Sequence, residues 1–423
     1  MQSFQLTLLF AAALLASLGL RLWLATRQMR HVATHRDSVP AVFAASIPLE
    51  AHRKAADYTV AKGRLGLLSM AFGAAVLLGW TLLGGLDALN GALRDALFPR
   101  FGGMAYQLAL LVAFSLIGTL LDLPFELYSI FRLEERFGFN RMTWRLYLAD
   151  MLRNALVGLV LGLPIAALIL WLMGTAGVWW WAWAWGAWVV FGLVVQVIFP
   201  VFIMPLYNKF EPLADETLKA RAQALMARCG FTARGFFVMD GSKRSAHANA
   251  YFTGLGKSKR VVFFDTLISK LSPGEMEAVL AHELGHFKRR HILKGTLKMF
   301  AFSLVAFILL GWLSGQAWFY LGLGVQPSLD APNDALALLL LMLVVPVFGV
   351  FASPLMARSS RKHEFEADAY ACEHASGQDL AAALLKLHED NASTLTPDPV
   401  YARFYYSHPP AAERLAALHP QTS

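Results

Sequence analysis

Charged residues are scarce in this chain of 423 residues: they make up 16% of the sequence, whereas hydrophobic residues make up 57%. A soluble domain has no use for so much apolar sequence, and a chain of this composition places several segments in lipid. The low charge therefore excludes an ordinary soluble protein and indicates an integral membrane protein.

The sequence has only two cysteines, Cys229 and Cys372, which stand far apart in polar segments. They lack the spacing of metal ligands, and two isolated residues do not make a disulfide framework. Both are expected to be free thiols in a reducing compartment.

A nucleic-acid-binding motif is also missing, although the formal net charge is +8. The Lys and Arg residues lie mostly in loops beside apolar runs, and no basic run is interleaved with aromatic residues. We therefore expect no nucleic acid partner; the lipid bilayer is the expected surface for these charges.

Seven apolar stretches are long enough to cross a bilayer as helices, which takes about 20 residues each. They lie near residues 4–26, 66–88, 105–124, 153–173, 177–204, 298–322 and 335–357. The first stretch lacks the basic start of a signal peptide and is expected to remain as an anchor. The tryptophan-rich fifth stretch suits an aromatic belt at a membrane interface.

The loop charges predict the orientation, because Lys and Arg collect on the cytoplasmic side. They are concentrated at 27–65 and 125–152 and are sparse at 89–104 and 323–334. The sequence divides into four expected regions. These are helices 1 to 5 within 1–204, a cytoplasmic segment at 205–297, helices 6 and 7 within 298–357, and a cytoplasmic tail at 358–423.

The motif "AHELGH" lies in the first cytoplasmic segment, on a helix with a clear start. Ser272 is the expected N-cap, Pro273 the first helical residue and Glu275 the capping-box partner. His282 and His286 are four residues apart, so both imidazoles face one side of the helix and can bind one Zn²⁺. Glu283 lies beside the first ligand and can reach a water rather than the metal.

A catalytic zinc needs a third protein ligand and an open position. In "HEFEADAYACEH" of the tail, Glu364 and Asp368 share a helix face, whereas Glu366 points away. We predict Glu364 as the third ligand and Asp368 as the acceptor that orients a ligand histidine. The alternative is a solvated acidic face. Separately, His291, His363 and His374 are expected to be interfacial or surface histidines.

Three short apolar runs before the HExxH helix, "GFFVMD", "HANAYFTGLG" and "KRVVFFDTLI", read as strands of a small sheet. Asn249 and Ala250 are candidates for an exposed edge that binds a peptide backbone, although an ordinary strand is equally compatible with the spacing. Near the C-terminus, His408 precedes a Pro-initiated helix and is a candidate donor to the oxyanion of peptide hydrolysis.

These motifs, together with "EERFGFNRMT", "IMPLYNKFEPL", "KRSAHANAYFTG" and "YSHPPAAERL", resemble the type I CAAX prenyl endopeptidases, which are integral-membrane HExxH zinc metalloproteases. The resemblance extends over nearly the whole chain. It implies a mainly α fold, with seven transmembrane helices around an intramembrane chamber and a small α/β gluzincin-like domain on the cytoplasmic side.

For the site, the resemblance implies one zinc on His282, His286 and Glu364, with Glu283 activating water. It also implies that Asp368 orients a ligand, that His408 stabilises the transition state, and that Asn249 and Ala250 meet the substrate backbone. The expected substrate is a membrane-associated, CAAX-type peptide or protein. The Ala- and Trp-rich spans favour a bacterial inner membrane over an endoplasmic reticulum.

Two other functions remain open at this point. A membrane quality-control metalloprotease of the heat-shock type shares the zinc motif, but it has about four spans. A transporter or channel with a structural zinc would close the metal with four ligands and would have no use for Glu283.

Overall fold

The computed structural model describes residues 2–247, 250–253 and 258–418, and most of these residues are helical. The α-helices in chain order are α1 (Ser3–Thr34), α2 (Leu49–Trp80), α3 (Gly85–Tyr128), α4 (Trp144–Val157), α5 (Leu163–Thr175), α6 (Trp180–Ile198), α7 (Met204–Tyr207), α8 (Glu216–Arg228), α9 (Asp265–Ile268), α10 (Pro273–Lys288), α11 (His291–Leu313), α12 (Ala317–Gly322), α13 (Asp334–Gly349), α14 (Ser353–His374), α15 (Gly377–Asp390), α16 (Pro399–Tyr405) and α17 (Ala411–Leu418).

Seven helical segments of the described chain are long and apolar enough to cross a membrane, which confirms the predicted number. They are Ser3–Thr34, Leu49–Trp80, Gly85–Glu134, Trp144–Thr175, Gly177–Tyr207, His291–Leu313 and Asp334–His374. Most of them are longer than a bilayer requires, so they extend beyond the apolar layer.

Two of the predicted spans end earlier in the structure than predicted, whereas the others belong to helices that run at least as far as the predicted residues at both ends. The second, expected at 66–88, runs instead from Leu49 to Trp80. Gly84 then takes a φ of 79°, a left-handed conformation that glycine adopts at little cost, and α3 begins at Gly85. The turn lies in apolar sequence on both sides, so hydropathy alone could not locate it. The sixth span ends at Leu313 and not at 322, because α12 is a separate short helix.

Three of the spans contain a short π-helical segment. These segments are Ser129–Glu134, Gly158–Gly162 and Phe199–Ile203. A π-turn inserts an extra residue and so rotates the side chains that follow it. Glu134 is the last residue of the π-helical segment after α3, and its carboxylate accepts a hydrogen bond from the Tyr58 hydroxyl at 2.6 Å.

A four-stranded sheet lies between the fifth span and α10. Its strands are β1 (Phe210–Pro212), β2 (Thr232–Met239), β3 (Ala250–Thr253) and β4 (Ser258–Phe264), in the order β1-β2-β4-β3. Strands β2 and β4 are parallel, whereas β1 and β3 pair antiparallel with them. Each of the three predicted runs contains a strand, although β3 covers only Ala250–Thr253 of the second run and the third run ends in the short helix α9. The short strand β1 was not predicted, since it has only three residues and one is a proline.

Helices α10 and α14 pack tightly against each other in the core next to this sheet, where Leu284 and Tyr370 are both buried. Gly285 allows the close approach. A Cβ at this position would lie 3.0 Å from the Ala367 Cα and 3.1 Å from the Tyr370 Cβ. The glycine of "HELGH" therefore brings the two motif-bearing helices together.

Candidate metal centre

Helix α10 begins with the predicted capping box. The Ser272 hydroxyl accepts from the Glu275 N–H at 3.3 Å, and the Glu275 carboxylate accepts from the Ser272 N–H at 2.7 Å. Lys386 of α15 also donates to Glu275 at 2.7 Å. The start of the helix is thus fixed from two directions, and with it the orientation of the histidines on its later turns.

The structure brings His282, His286 and Glu364 together, with one ligand atom of each within 4.8 Å of the others. The two Nε2 atoms are 3.2 Å apart. The Glu364 carboxylate oxygens lie 3.6 Å from the His282 Nε2 and 3.5 Å from the His286 Nε2. Two imidazole nitrogens and one carboxylate form the usual donor set of a catalytic zinc.

Two further observations show that these residues fit a metal ion. Glu364 is buried, and its Oε2 lies 2.7 Å from His408 Nδ1 and 3.6 Å from His282 Nε2, so the carboxylate faces groups that can carry positive charge, an environment that also suits a metal cation. In addition, the Nδ1 atom of each histidine already has a partner, so the two Nε2 atoms are left to converge on one point.

His282 is held by a buried ion pair. Its Nδ1 lies 2.8 Å from Asp368 Oδ1, and Arg414 Nε donates to Asp368 Oδ2 at 2.8 Å. Burial alone would lower the pKa of His282, but the hydrogen bonds to Asp368 and Glu364 outweigh it and raise the pKa to about 9. A metal at Nε2 would displace one proton and leave Nδ1–H directed at Asp368.

His286 is held by a second imidazole. Its Nδ1 lies 3.0 Å from the Nδ1 of His291, and the Nε2 of His291 lies 2.9 Å from Glu366. Burial, followed by the charge of His282, lowers the pKa of His286 to about 4. This histidine is therefore neutral at pH 7, as a metal ligand must be.

The contact between His286 and His291 corrects the sequence interpretation. His291 was expected to be an interfacial or surface histidine, but it is buried and stacks on His363 with ring centroids 4.0 Å apart. The reason is local: Arg290 has a left-handed φ of 56°, so α11 starts in a new direction and its first residue folds back over α10.

Glu283 lies on α10 next to His282 and outside the ligand cluster. Within the part of the chain that the structure describes, its carboxylate forms no hydrogen bond and no ion pair. Burial raises the pKa of Glu283, with a smaller contribution from the charge of Glu364. A partly buried carboxylate without a fixed partner is suited to accept a proton.

His408 reaches the cluster from the C-terminal segment. Its Nδ1 lies 2.7 Å from Glu364 Oε2, although its side chain is 68% exposed. The imidazole therefore borders the ligands and also faces open space, where a substrate has access.

Arg414 was missed by the sequence analysis. It is buried on α17 together with Ala411 and Leu415, and its Nη1 lies 3.8 Å from Glu364 Oε2. The sequence did contain a signal, because Arg414 stands three residues after Ala411 and so shares an apolar helix face with it. A cation that is buried on such a face needs a partner of opposite charge.

The proposed substrate strand is described in part. Ala250 begins β3 and pairs with Phe263 of β4, and β3 forms the edge of the sheet. Asn249 lies outside the described residues.

Comparison with known proteins identifies the family. The sequence model of the CAAX prenyl protease N-terminal region, with five membrane helices, matches residues 28–209, and that of peptidase family M48 matches residues 212–422. The chain belongs to the CAAX prenyl protease family of M48 peptidases. The predicted resemblance is thus confirmed.

Relatives in this family match over most of their length. CAAX prenyl protease 1 of Saccharomyces cerevisiae is 36% identical, with 90% of this chain and 88% of the yeast protein covered. The human CAAX prenyl protease 1 homolog is 31% identical, with 97% of this chain and 95% of the human protein covered. The crystal structure of S. mikatae Ste24p superposes with a TM-score of 0.91 at 32% identity, covering 99% of this chain and 100% of that one.

Proposed function

We propose that this protein is a zinc-dependent membrane endopeptidase that cleaves near the C-terminus of membrane-associated, CAAX-type proteins. The observation that carries the proposal is the convergence of His282, His286 and Glu364 beside the partly buried Glu283. The match of both family regions over the chain favours it over a quality-control protease of about four spans and over a transporter.

In this proposal His282, His286 and Glu364 hold one zinc per chain. When bound, the zinc would polarise the scissile carbonyl and lower the pKa of a water molecule. Glu283 accepts a proton from the attacking water and returns it to the leaving amine. Asp368, itself held by Arg414, keeps the His282 ring in the ligating orientation.

His408 is proposed to stabilise the transition state. Its exposed ring borders the ligand cluster. An N–H of this ring can therefore donate a hydrogen bond to the oxygen that becomes negative during hydrolysis. The peptide is proposed to bind by strand addition along β3, with its backbone at Asn249 and Ala250. The edge position of β3 in the sheet supports this binding mode.

The chain is a multi-pass membrane protein, and we propose that its active site faces the cytoplasm of a bacterial cell. The Lys and Arg bias of the loops supports this orientation. A water-filled chamber among the spans is also proposed. The second span supports this chamber, because no residue in its most apolar stretch of 18 residues is buried. Such exposure is expected for a helix that has lipid on one side and an open interior on the other.

The function is tested with purified protein on prenylated and unprenylated C-terminal peptides, with and without a chelator. We expect cleavage that the chelator abolishes and added zinc restores, and faster cleavage of the prenylated peptide. Absence of cleavage with zinc bound would refute the endopeptidase proposal, whereas equal rates on both peptides would refute only the prenyl preference.

The orientation is tested by thiol labelling of intact cells in a Cys372→Ser background, because Cys372 is exposed. A cysteine in place of Thr217 should resist a membrane-impermeant reagent, whereas one in place of the fully exposed Leu329 should react. The reverse pattern would place the active site outside.

A further inference from the structure

A cavity of about 590 Å³ lies between α2 and the end of α3, and none of the predicted metal ligands is among its lining residues. Its polar wall carries three arginines, Arg64, Arg132 and Arg136. Its other wall is apolar. The apolar lining consists of Ala61, Leu65, Leu68, Pro124, Phe125, Tyr128, Leu133 and Phe137. The cavity thus combines a cationic end with an apolar trough along two membrane helices.

The cavity lies on a different face of α2 from Lys62, which points toward the catalytic part of the protein. On α2, Lys62 lies 3.9 Å from Glu134, and Glu134 in turn lies 3.8 Å from His247, which precedes β3. Arg64 comes two residues after Lys62 and so points about 200° around the helix from it. The face that carries Arg64 therefore points away from Lys62 and Glu134, and its neighbours Leu68 and Tyr128 are 62% and 54% exposed. Apolar side chains exposed on a membrane helix are available to an acyl chain.

The three arginines have no compensating charge in the cavity. None of the lining residues is acidic, and within the described part of the chain none of the three guanidinium groups forms an ion pair with a carboxylate. The nearby Asp57 is already bonded to Arg36, with distances of 2.7 and 2.8 Å. Arg136 lies over the Phe137 ring, 5.5 Å from its centroid. Asp57 is within electrostatic range of Arg136 but forms its ion pair with Arg36. Three guanidinium groups without a carboxylate ion pair attract an anion with several oxygen acceptors.

We propose that this cavity binds an anionic phospholipid, with its phosphate among Arg64, Arg132 and Arg136 and one acyl chain along Leu65, Leu68 and Phe125. The charge of the polar wall selects the headgroup, and the apolar trough distinguishes a lipid from free phosphate. A zwitterionic phosphatidylcholine would bring a quaternary ammonium beside the same arginines, so it binds less well than phosphatidylglycerol.

The test uses the full-length protein, purified and delipidated in detergent, with native mass spectrometry to follow added phosphatidylglycerol and phosphatidylcholine. The wild type should retain phosphatidylglycerol in preference to phosphatidylcholine. Its affinity for phosphatidylglycerol should fall about fivefold for each arginine removed in Arg64→Gln and in Arg64→Gln/Arg132→Gln. The matched control is Arg145→Gln, which removes an exposed arginine outside the cavity and should leave binding unchanged.

Gel filtration and thermal unfolding check that each variant is folded. If the double variant is not, Arg132→Gln alone and the headgroup preference of the wild type decide the question. Equal binding of both lipids, unchanged binding in the cavity variants or an equal loss in Arg145→Gln would overturn the proposal. Binding of inorganic phosphate as tightly as phosphatidylglycerol would also overturn it, since the acyl chain would then contribute nothing to the affinity.

Discussion

His282 and His286 lie one helical turn apart, yet different groups hold them. The partner of His282 is the buried carboxylate of Asp368, which Arg414 pairs from its other side. The partner of His286 is the imidazole of His291, and behind it stands Glu366, whose side chain is 30% exposed. One side of the metal centre rests on a buried carboxylate and the other on an imidazole that contacts a partly exposed carboxylate.

The comparison shows that two equivalent ligands can have unequal supports. Asp368 and Glu364 raise the pKa of His282 to about 9, whereas burial and the neighbouring His282 lower the pKa of His286 to about 4. We infer that His282 is the more rigidly oriented ring, because a buried ion pair that loses one partner leaves an uncompensated charge. The His286 side has more freedom to adjust, since water can replace Glu366.

The largest expected effect removes a ligand and should be the same on both sides. His282→Ala and His286→Ala should each lose most of the bound zinc and all measurable peptide cleavage, because a three-ligand site does not survive with two. Elemental analysis and a peptide assay measure the two results. His363→Ala is the control, since this ring stacks on His291 without reaching the cluster, and it should keep its zinc. Full zinc in His282→Ala would remove the basis for this metal centre.

Glu283 belongs to neither side, and its replacement separates chemistry from metal binding. Glu283→Gln keeps the size of the side chain but cannot accept a proton, so turnover should fall about 10²- to 10⁴-fold with zinc and peptide binding retained. Glu277→Gln makes the same chemical change on the same helix, where Glu277 pairs with Arg221 and Arg228, and should leave turnover near that of the wild type. Wild-type cleavage by zinc-loaded Glu283→Gln would show that another group is the base.

His408 should have a smaller effect than Glu283. His408→Ala should keep zinc but lower turnover on the order of 10²- to 10³-fold, the usual cost of one oxyanion donor. Because His408 also lies 2.7 Å from Glu364, zinc content must be measured on the same sample. If His408→Ala lost zinc and activity to the same extent, His408 would instead be a residue that positions Glu364. Each of the three ligands would then be held by a neighbouring side chain.

The sequence predicted those parts of the site that depend on helical periodicity. The four-residue spacing of His282 and His286 was sufficient, and so was that of Glu364 and Asp368, because residues four apart share a helix face. The capping box at Ser272 was predictable for the same reason: its contacts are local.

Contacts between elements could not be predicted from spacing. His291 follows His286 by five residues, and only the left-handed turn at Arg290 brings the two rings together. Arg414 lies 46 residues after Asp368 and meets it through the packing of α17 on α14. The end of α2 was predicted at the wrong residue for a related reason: the turn before α3 is as apolar as the two helices that it joins, so hydropathy does not mark it.

The sharpest test of the unequal supports replaces the outermost carboxylate on each side by an amide. Asp368→Asn should weaken zinc binding about 10- to 100-fold, as loss of such a ligand-orienting group usually does. It should also lower the unfolding temperature, because Arg414 is left as a buried charge beside a neutral amide. Glu366→Gln should change zinc affinity by less than about tenfold, below the range for a direct partner, because it reaches His286 only through His291.

Competition with a chelator and thermal unfolding measure both variants, and a double variant separates the two roles of Asp368. Replacing Arg414 as well, in Asp368→Asn/Arg414→Met, removes the buried charge that has lost its nearest carboxylate, so the unfolding temperature should recover in part while the zinc affinity stays low. Equal losses of zinc affinity in Asp368→Asn and Glu366→Gln would mean that the buried carboxylate of Asp368 contributes no more to zinc binding than the partly exposed one of Glu366. The two histidines would then be equivalent in their supports as well as in their role.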